Sequence, residues 1–244
     1  MSFSRQILDH LSMVESERVA RRNEPGLDAK VRAVKRYQQQ RFRHTYADLL
    51  ASTRYRRAAA FFLEELYGPD DFSLRDAQFA RVVPSITRLF PTEVIATVTA
   101  LSELHALSEQ LDSSMGRALT RVELTAPAYV AAWRASGASS LRSKQIDLTL
   151  RLAGSLDRLT RKTLLRQTLR LMRRPAQAAG LGELQRLLER GFDDFKAMNG
   201  ADAFISMVGA RERLLASALF GHSPASAAVQ SEQAGLLALL PAAA

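Results

Sequence analysis

The sequence predicts an all-α protein, a single helical bundle of about eight helices. Three observations carry that reading. Apolar residues recur at steps of three and four along nearly every segment, as one face of a helix requires. No segment alternates convincingly with period two, so strands are not expected. Gly, Pro and Asn-Gly fall between the periodic stretches, where they stop helices. The chain has 244 residues, 47% of them hydrophobic, enough to build one large core. The bundle is expected over residues 1–221, and residues 222–244, rich in Ala and Ser, are expected to form a mostly flexible tail in which Leu236, Leu237, Leu239 and Leu240 make a small apolar knot.

Taken in order, Phe3, Ile7, Leu11 and Val14 mark a first amphipathic helix that ends before Asn23-Glu24-Pro25-Gly26. Leu27, Val31, Val34, Gln38, Phe42, Thr45 and Leu49 trace one stripe of a long second helix, with Arg32, Lys35, Arg36 and Arg43 opposite and a bend or break near Ser52-Thr53. Gly68-Pro69 ends the following element. Ser73 and Asp76 have capping-box spacing, so a helix is expected to start near Leu74 and to kink or divide at Pro84. The next is expected over Thr92–Asp112, with Val94, Val98, Leu101 and His105 on one stripe, loosening at Ser113–Gly116. Thr125 reads as the cap of a short helix holding Tyr129, Val130 and Trp133, closed by Ser136-Gly137. Residues 139–174 read as one long basic helix, or two divided near Gly154, with Pro175 as the stop. Two more helices, 181–198 and 201–220, flank Asn199-Gly200.

Composition excludes some functions. There is no cysteine, so disulfides and thiolate metal sites are ruled out. The first twenty residues hold Asp9, Glu15 and Glu17 and no continuous apolar run, unlike a signal peptide. No stretch approaches the ~20 apolar residues of a membrane span. A soluble, cytoplasmic protein is expected. The net charge of +9 is uneven: residues 27–57 hold nine Lys/Arg against two acids, residues 134–174 eleven against two, and residues 58–133 five against ten. Either these segments pair with each other in the fold, or the basic ones face an acidic partner.

The densest segment is Phe61-Phe62-Leu63-Glu64-Glu65-Leu66-Tyr67, running into Gly68-Pro69-Asp70-Asp71-Phe72 and Ser73-Leu74-Arg75-Asp76. Phe61, Phe62, Leu66 and Tyr67 cover a broad arc, which suits a helix end packed on several sides. Glu64 and Glu65 sit at a helix C-terminus, which disfavours them, so a cation is expected nearby, with Arg54, Arg56 and Arg57 close in sequence. Asp70, Asp71 and Asp76 flank a helix start, with Arg75 and Arg81 as partners. The segment reads as a locked helix–turn–helix corner rather than a carboxylate pocket, since a site needs groups converging from more than one element.

Residues 61–67, with the Leu66-Tyr67-Gly68-Pro69 turn, Asp71-Phe72 and Arg75-Asp76, resemble the signature of the bacterial "FFLEELY motif" proteins. The resemblance implies a bacterial source and a stand-alone protein whose likeness extends through the helical body to about Phe220. It brings no activity, cofactor or catalytic residue.

The histidines His10, His44, His105 and His222 show no pair at metal-ligand spacing. His105 lies on an apolar stripe, so a haem or apolar-ligand site on a globin-like bundle would use it, with Tyr67 and Phe61 alongside. Otherwise no metal and no cofactor is expected. Lys144, Arg151, Arg158, Lys162, Arg166 and Arg173 follow steps of 7, 7, 4, 4 and 7. On a continuous helix they would form a basic stripe able to neutralise phosphates of a nucleic acid. The segment lacks aromatic residues for base stacking and any recognition-helix motif. There is no Gly-rich phosphate loop and no Gly-x-Ser-x-Gly. The leading expectation is therefore a non-enzymatic interaction or regulatory module that binds a protein partner through helix surfaces, with homodimerisation also compatible.

Overall fold

The computed structural model describes residues 2–66 and 72–243. Among them are twelve α-helices and one π-helix, and no strand: α1 Phe3–Asn23, α2 Leu27–Thr45, α3 Ala47–Ala51 and α4 Arg56–Phe61, then the π-helix Phe62–Leu66; α5 Ser73–Leu89, α6 Thr92–Ala118, α7 Ala126–Ala135, α8 Ser139–Thr160, α9 Thr163–Ala178, α10 Gly182–Ala197, α11 Asp202–Phe220 and α12 Ala227–Ala238. The all-α class matches the sequence reading. The larger number comes mostly from short helices around the Ser52–Tyr55 break and from the C-terminal segment.

All seven residues of the α2 stripe, from Leu27 to Leu49, are buried. Phe42, and Leu49 of α3, join the cluster around Phe61 and Phe62; α2 also packs on α6, the longest helix, which packs on α1 and α8 as well, and α8 in turn packs on α10 and α11. Helices α2 and α6 approach closely at Gly116, where a Cβ would lie 2.7 Å from Val31 Cγ2. That contact explains why α6 does not loosen at Ser113–Gly116: Ser113, Met115 and Gly116 are buried in it, so the helix runs to Ala118.

Three apolar clusters fill the interior. One joins Phe42, Tyr46, Phe61, Phe62, Phe195 and Phe204. A second surrounds Tyr37, Tyr129, Trp133, Leu215 and Leu219. The third holds Leu104, Leu107, Leu111, Leu148 and Leu152 between α6 and α8.

Four element boundaries differ from the sequence reading. Helix α5 starts at Ser73 with Phe72 as its N-cap and no side-chain cap bond, so Ser73 and Asp76 form no capping box. Pro84 lies inside α5 without dividing it. The basic segment divides at Arg161-Lys162, not at Gly154, and Pro175 lies inside α9 rather than ending it. Both prolines are exposed, where water can reach the carbonyl that a missing N–H leaves unpaired.

The segment expected to be a flexible tail carries α12. Ser226 caps it, accepting a hydrogen bond from the Val229 N–H. Leu236, Leu237 and Leu240 pack on the Tyr37–Tyr129 cluster. Tyr37 donates its hydroxyl hydrogen to the Pro241 carbonyl at 2.8 Å, and His44 Nδ1 lies 3.1 Å from the Leu239 carbonyl. Three of the four leucines of the apolar knot thus pack against the bundle, and Leu239 stays exposed.

Candidate functional site

The described part of the Phe61–Asp76 segment packs and pairs with α10. Phe61 and Phe62 are buried and meet Phe195 edge to face, at ring centroid distances of 6.3 and 5.6 Å. Gly191 of α10 lets that approach happen, since a Cβ there would stand 2.9 Å from Phe61 Cζ. The cations that compensate Glu64 and Glu65 are not Arg54, Arg56 or Arg57. Arg190 of α10 pairs with both, at 3.0 Å to Glu65, and Arg75 reaches Glu65 at 3.1 Å. The Arg75 guanidinium also stacks on Phe72, 3.9 Å from the ring centroid. Arg54 instead donates to the Met198 and Gly200 carbonyls, and Arg57 pairs with Asp194. Among the described residues Arg81 pairs with no aspartate; it donates to the Ala179 and Gly180 carbonyls. Tyr67, Gly68, Pro69, Asp70 and Asp71 lie outside the described residues, as does the Leu66 side chain.

Asp76 and His105 meet where α1, α5 and α6 come together. His105 Nε2 donates to Asp76 Oδ2 at 2.9 Å, and Arg18 donates to the same oxygen at 2.6 Å. Burial pushes the Asp76 carboxyl up, but the hydrogen bonds and charges of His105 and Arg18 outweigh it and hold the group below the usual range. The arrangement is a His–Asp pair without a nucleophile: among the described residues, no hydroxyl is hydrogen-bonded to His105. On the same helix Ser102 Oγ lies 3.0 Å from His10 Nδ1. Ser102 is buried, and its hydroxyl donates to the Thr99 carbonyl of its own helix at 2.8 Å.

One interior space lies between α2, α7, α8 and α11. It measures about 40 Å³ and is lined by Phe62, Trp133, Arg41, Arg142 and Gln145, among others. Neither Phe61 nor His105 lines it. Its size is far below the ~300–1,000 Å³ usual for small-molecule sites, and it holds room for a few waters. The polar lining is largely engaged. Arg41 pairs with Glu212, which also accepts from Tyr46 at 2.7 Å. Arg142 donates to Gln145 at 2.9 Å and stacks on Trp133, 4.1 Å from the ring centroid. Arg41 sits on the helix read from the sequence as apolar on one face and basic on the other, and Arg142 on the one read as basic; hydropathy alone gives no sign that either turns inward. No group of three or more His, Asp or Glu that could hold a metal occurs among the described residues.

The six residues of the basic stripe do not form one face, because the helix break at Arg161-Lys162 divides them. Lys144 pairs with Glu103 at 2.7 Å, and Arg158 and Lys162 both pair with Glu93. Arg166 pairs with Asp193 and Glu189, and Arg173 pairs with Glu189. The Arg173 hydrogen bond and the neighbouring charges hold the Glu189 carboxyl down to about 2. Arg151 is exposed beside Lys144 and Arg213. Glu93 and Glu103 come from the acidic stretch 58–133, so the uneven charge is partly neutralised within the fold.

A further exposed feature is α9, which carries the two most exposed large apolar side chains among the described residues. Arg166 and Arg173 tie one side of it to α10, and Leu165, Leu169 and Ala176 turn inward. On its outer side Leu164 is 74% exposed, Leu171 79% and Met172 46%. Arg170 and Arg174, beside them, take part in no ion pair among the described residues. The sequence signal for this face was present, as Leu164 and Leu171 are seven residues apart in a run without acids. The basic stripe through Arg166 and Arg173 marks a different side of the helix, the one that turns to α10.

The fold and these sites define an all-helical domain. The chain belongs to the family described as "Domain of unknown function (DUF8198)", which it matches over residues 17–226. The match ends one residue before α12 begins. No curated protein and no solved structure matches the chain. No helix among the described residues is long and apolar enough to cross a membrane.

Proposed function

We propose that the chain is a non-enzymatic interaction module that docks through the outer face of α9. The observation that carries this is the exposure of Leu164 and Leu171, at 74% and 79%, on a helix already fixed to the domain by ion pairs on its other side. Large apolar side chains presented together on a rigid element mark an interaction surface. The partner's chemistry follows from the neighbours: residues 161–181 hold six Lys/Arg and no acid, so an acidic surface that can also accept leucine side chains fits best. The state of the titratable clusters supports a non-catalytic role, because Glu64, Glu65, Asp76, Glu93, Glu109 and Glu189 are each engaged by an internal cation.

A photo-crosslinking amino acid placed at Leu171 of the full chain, in cells expressing it, tests the reading. Adducts are expected at Leu171 and Leu164, and not at Val122 or Gln230, which are exposed on other elements. Equal adduct yields at all four positions would sink the proposal.

A further inference from the structure

We propose that α9 is an interfacial helix and that its partner is an anionic lipid bilayer. The inference rests on the reading of α9 as the docking face and names what it docks on. On a helical wheel at 100° per residue, the apolar arc of α9 is wider than its seat in the domain. Leu165, Leu169 and Ala176 supply the inward part. Leu164, Leu171, Met172 and Pro175 continue the arc outward. Arg174 flanks the outward part about 60° from Leu171, and Arg170 follows about 100° from it, so the cationic heads adjoin one edge of the exposed apolar arc.

Three features select a bilayer over other acidic partners. First, α9 is a helix of 16 residues, about 24 Å long, with its outer side exposed. A helix lying in the plane of a membrane interface buries such a face about 5–10 Å deep, whereas a polypeptide partner would have to supply a groove shaped to it. Second, a nucleic acid would use the arginines and leave the leucines in water, and α9 carries no aromatic residue for bases to stack on. Third, cations flanking an apolar face match the two layers of an anionic bilayer, phosphates outside and acyl chains beneath. The ion pairs of Arg166 and Arg173 with α10 hold the leucines outward before any contact, so binding needs no refolding of the helix.

Co-sedimentation of the full chain with phosphatidylcholine vesicles, with and without phosphatidylglycerol, tests this. Binding is expected only with phosphatidylglycerol and is expected to weaken as salt is raised. The Leu164→Asp/Leu171→Asp variant should lose roughly tenfold or more in vesicle affinity. Arg170→Glu and Arg174→Glu should each lose about fivefold or more. All these side chains are exposed, and circular dichroism checks that each variant stays helical. Val122→Asp and Arg121→Glu, on a distant loop, should bind as the parent does. Three results would overturn the inference: no binding to the anionic vesicles; equal losses in the loop variants, which would mark unspecific charge attraction; or retention on duplex DNA that depends on Arg170 and Arg174, with the leucine variant unaffected on vesicles. If vesicles fail while the crosslinker at Leu171 captures a polypeptide, the docking face stands and only its partner is wrong. If neither vesicle nor crosslink depends on α9, both readings fall.

Discussion

Glu109 and Asp112 lie one turn apart on α6 and titrate in opposite directions. Burial pushes both carboxyls up. For Glu109 the charges of Lys35 and Arg21 outweigh burial and hold it down to about 2. Arg21 also donates to the Glu109 carbonyl at 2.6 Å and to Ser113 Oγ at 2.8 Å. Asp112 accepts no hydrogen bond among the described residues, and burial wins, so its carboxyl sits above the usual range. The signs follow. Glu109 titrates lower in the folded than in the unfolded chain, so its contribution is complete above about pH 4.3. It drains away as the pH falls toward 2. Asp112 acts in the opposite sense, because its charged form is the one the fold disfavours. Glu109→Gln, which strands buried Arg21, should cost about 3–5 kcal/mol at neutral pH and flatten the acid loss. Asp112→Asn should be neutral or stabilising. Urea unfolding at neutral and acid pH separates the two. An equal cost for both would show that Lys35 and Arg21 do not discriminate between them. Little of this was legible in the sequence. Both residues fall inside the predicted helix of residues 92–112, and their different fates depend on Arg21 and Lys35 arriving from α1 and α2.

At the scale of elements, the signature string shows how far local pattern reaches. Phe61 and Phe62 were readable as the packed end of a helix, and they are. The partner that makes the packing possible, Gly191, is 130 residues away, and no local rule points to it. Gly191→Ala should cost about 1–3 kcal/mol by driving a methyl group into the Phe61 ring. Gly235→Ala in α12, where a Cβ would meet nothing within 4 Å, should gain about 0.5–1 kcal/mol instead. Thermal unfolding of the pair checks this; a stabilised Gly191→Ala would mean that α10 can back away from Phe61. Breaks and stops were less legible. Gly154 stays helical because Leu152 and Ala153 beside it are buried, and a helical glycine costs only about 1 kcal/mol. Pro84 and Pro175 stay helical because they lie on exposed sides. Burial and solvent access, not the residue type, decided each case.

For the whole molecule, the decisive element is α12. Without it the Tyr37–Tyr129 stack, whose ring centroids are 4.4 Å apart, would lose the cover of Leu236, Leu237 and Leu240. Tyr37 would also lose its acceptor at Pro241. A chain ending at Ser226, where the family match ends, should therefore be less stable by about 2–4 kcal/mol. It should also bind more of a hydrophobic dye than the full chain does. Unchanged melting on truncation would return the segment to the flexible tail that its composition suggested. The charge map belongs to this scale as well. Glu93 and Glu103 of the acidic stretch neutralise Arg158, Lys162 and Lys144 of the basic one, leaving Arg170 and Arg174 facing outward on α9.

The sequence by itself determined the all-helical class, most helix positions and the buried stripe of α2, because these follow from a periodicity of 3.6 residues that each segment carries on its own. It also determined that the chain holds no thiol chemistry. Only the tertiary structure decided which arginines turn inward, which cations meet Glu64 and Glu65, that the C-terminal segment docks, and which side of α9 is left without a seat. Each of these depends on what a distant helix brings to the same place, and amphipathic spacing records a face without naming its neighbour.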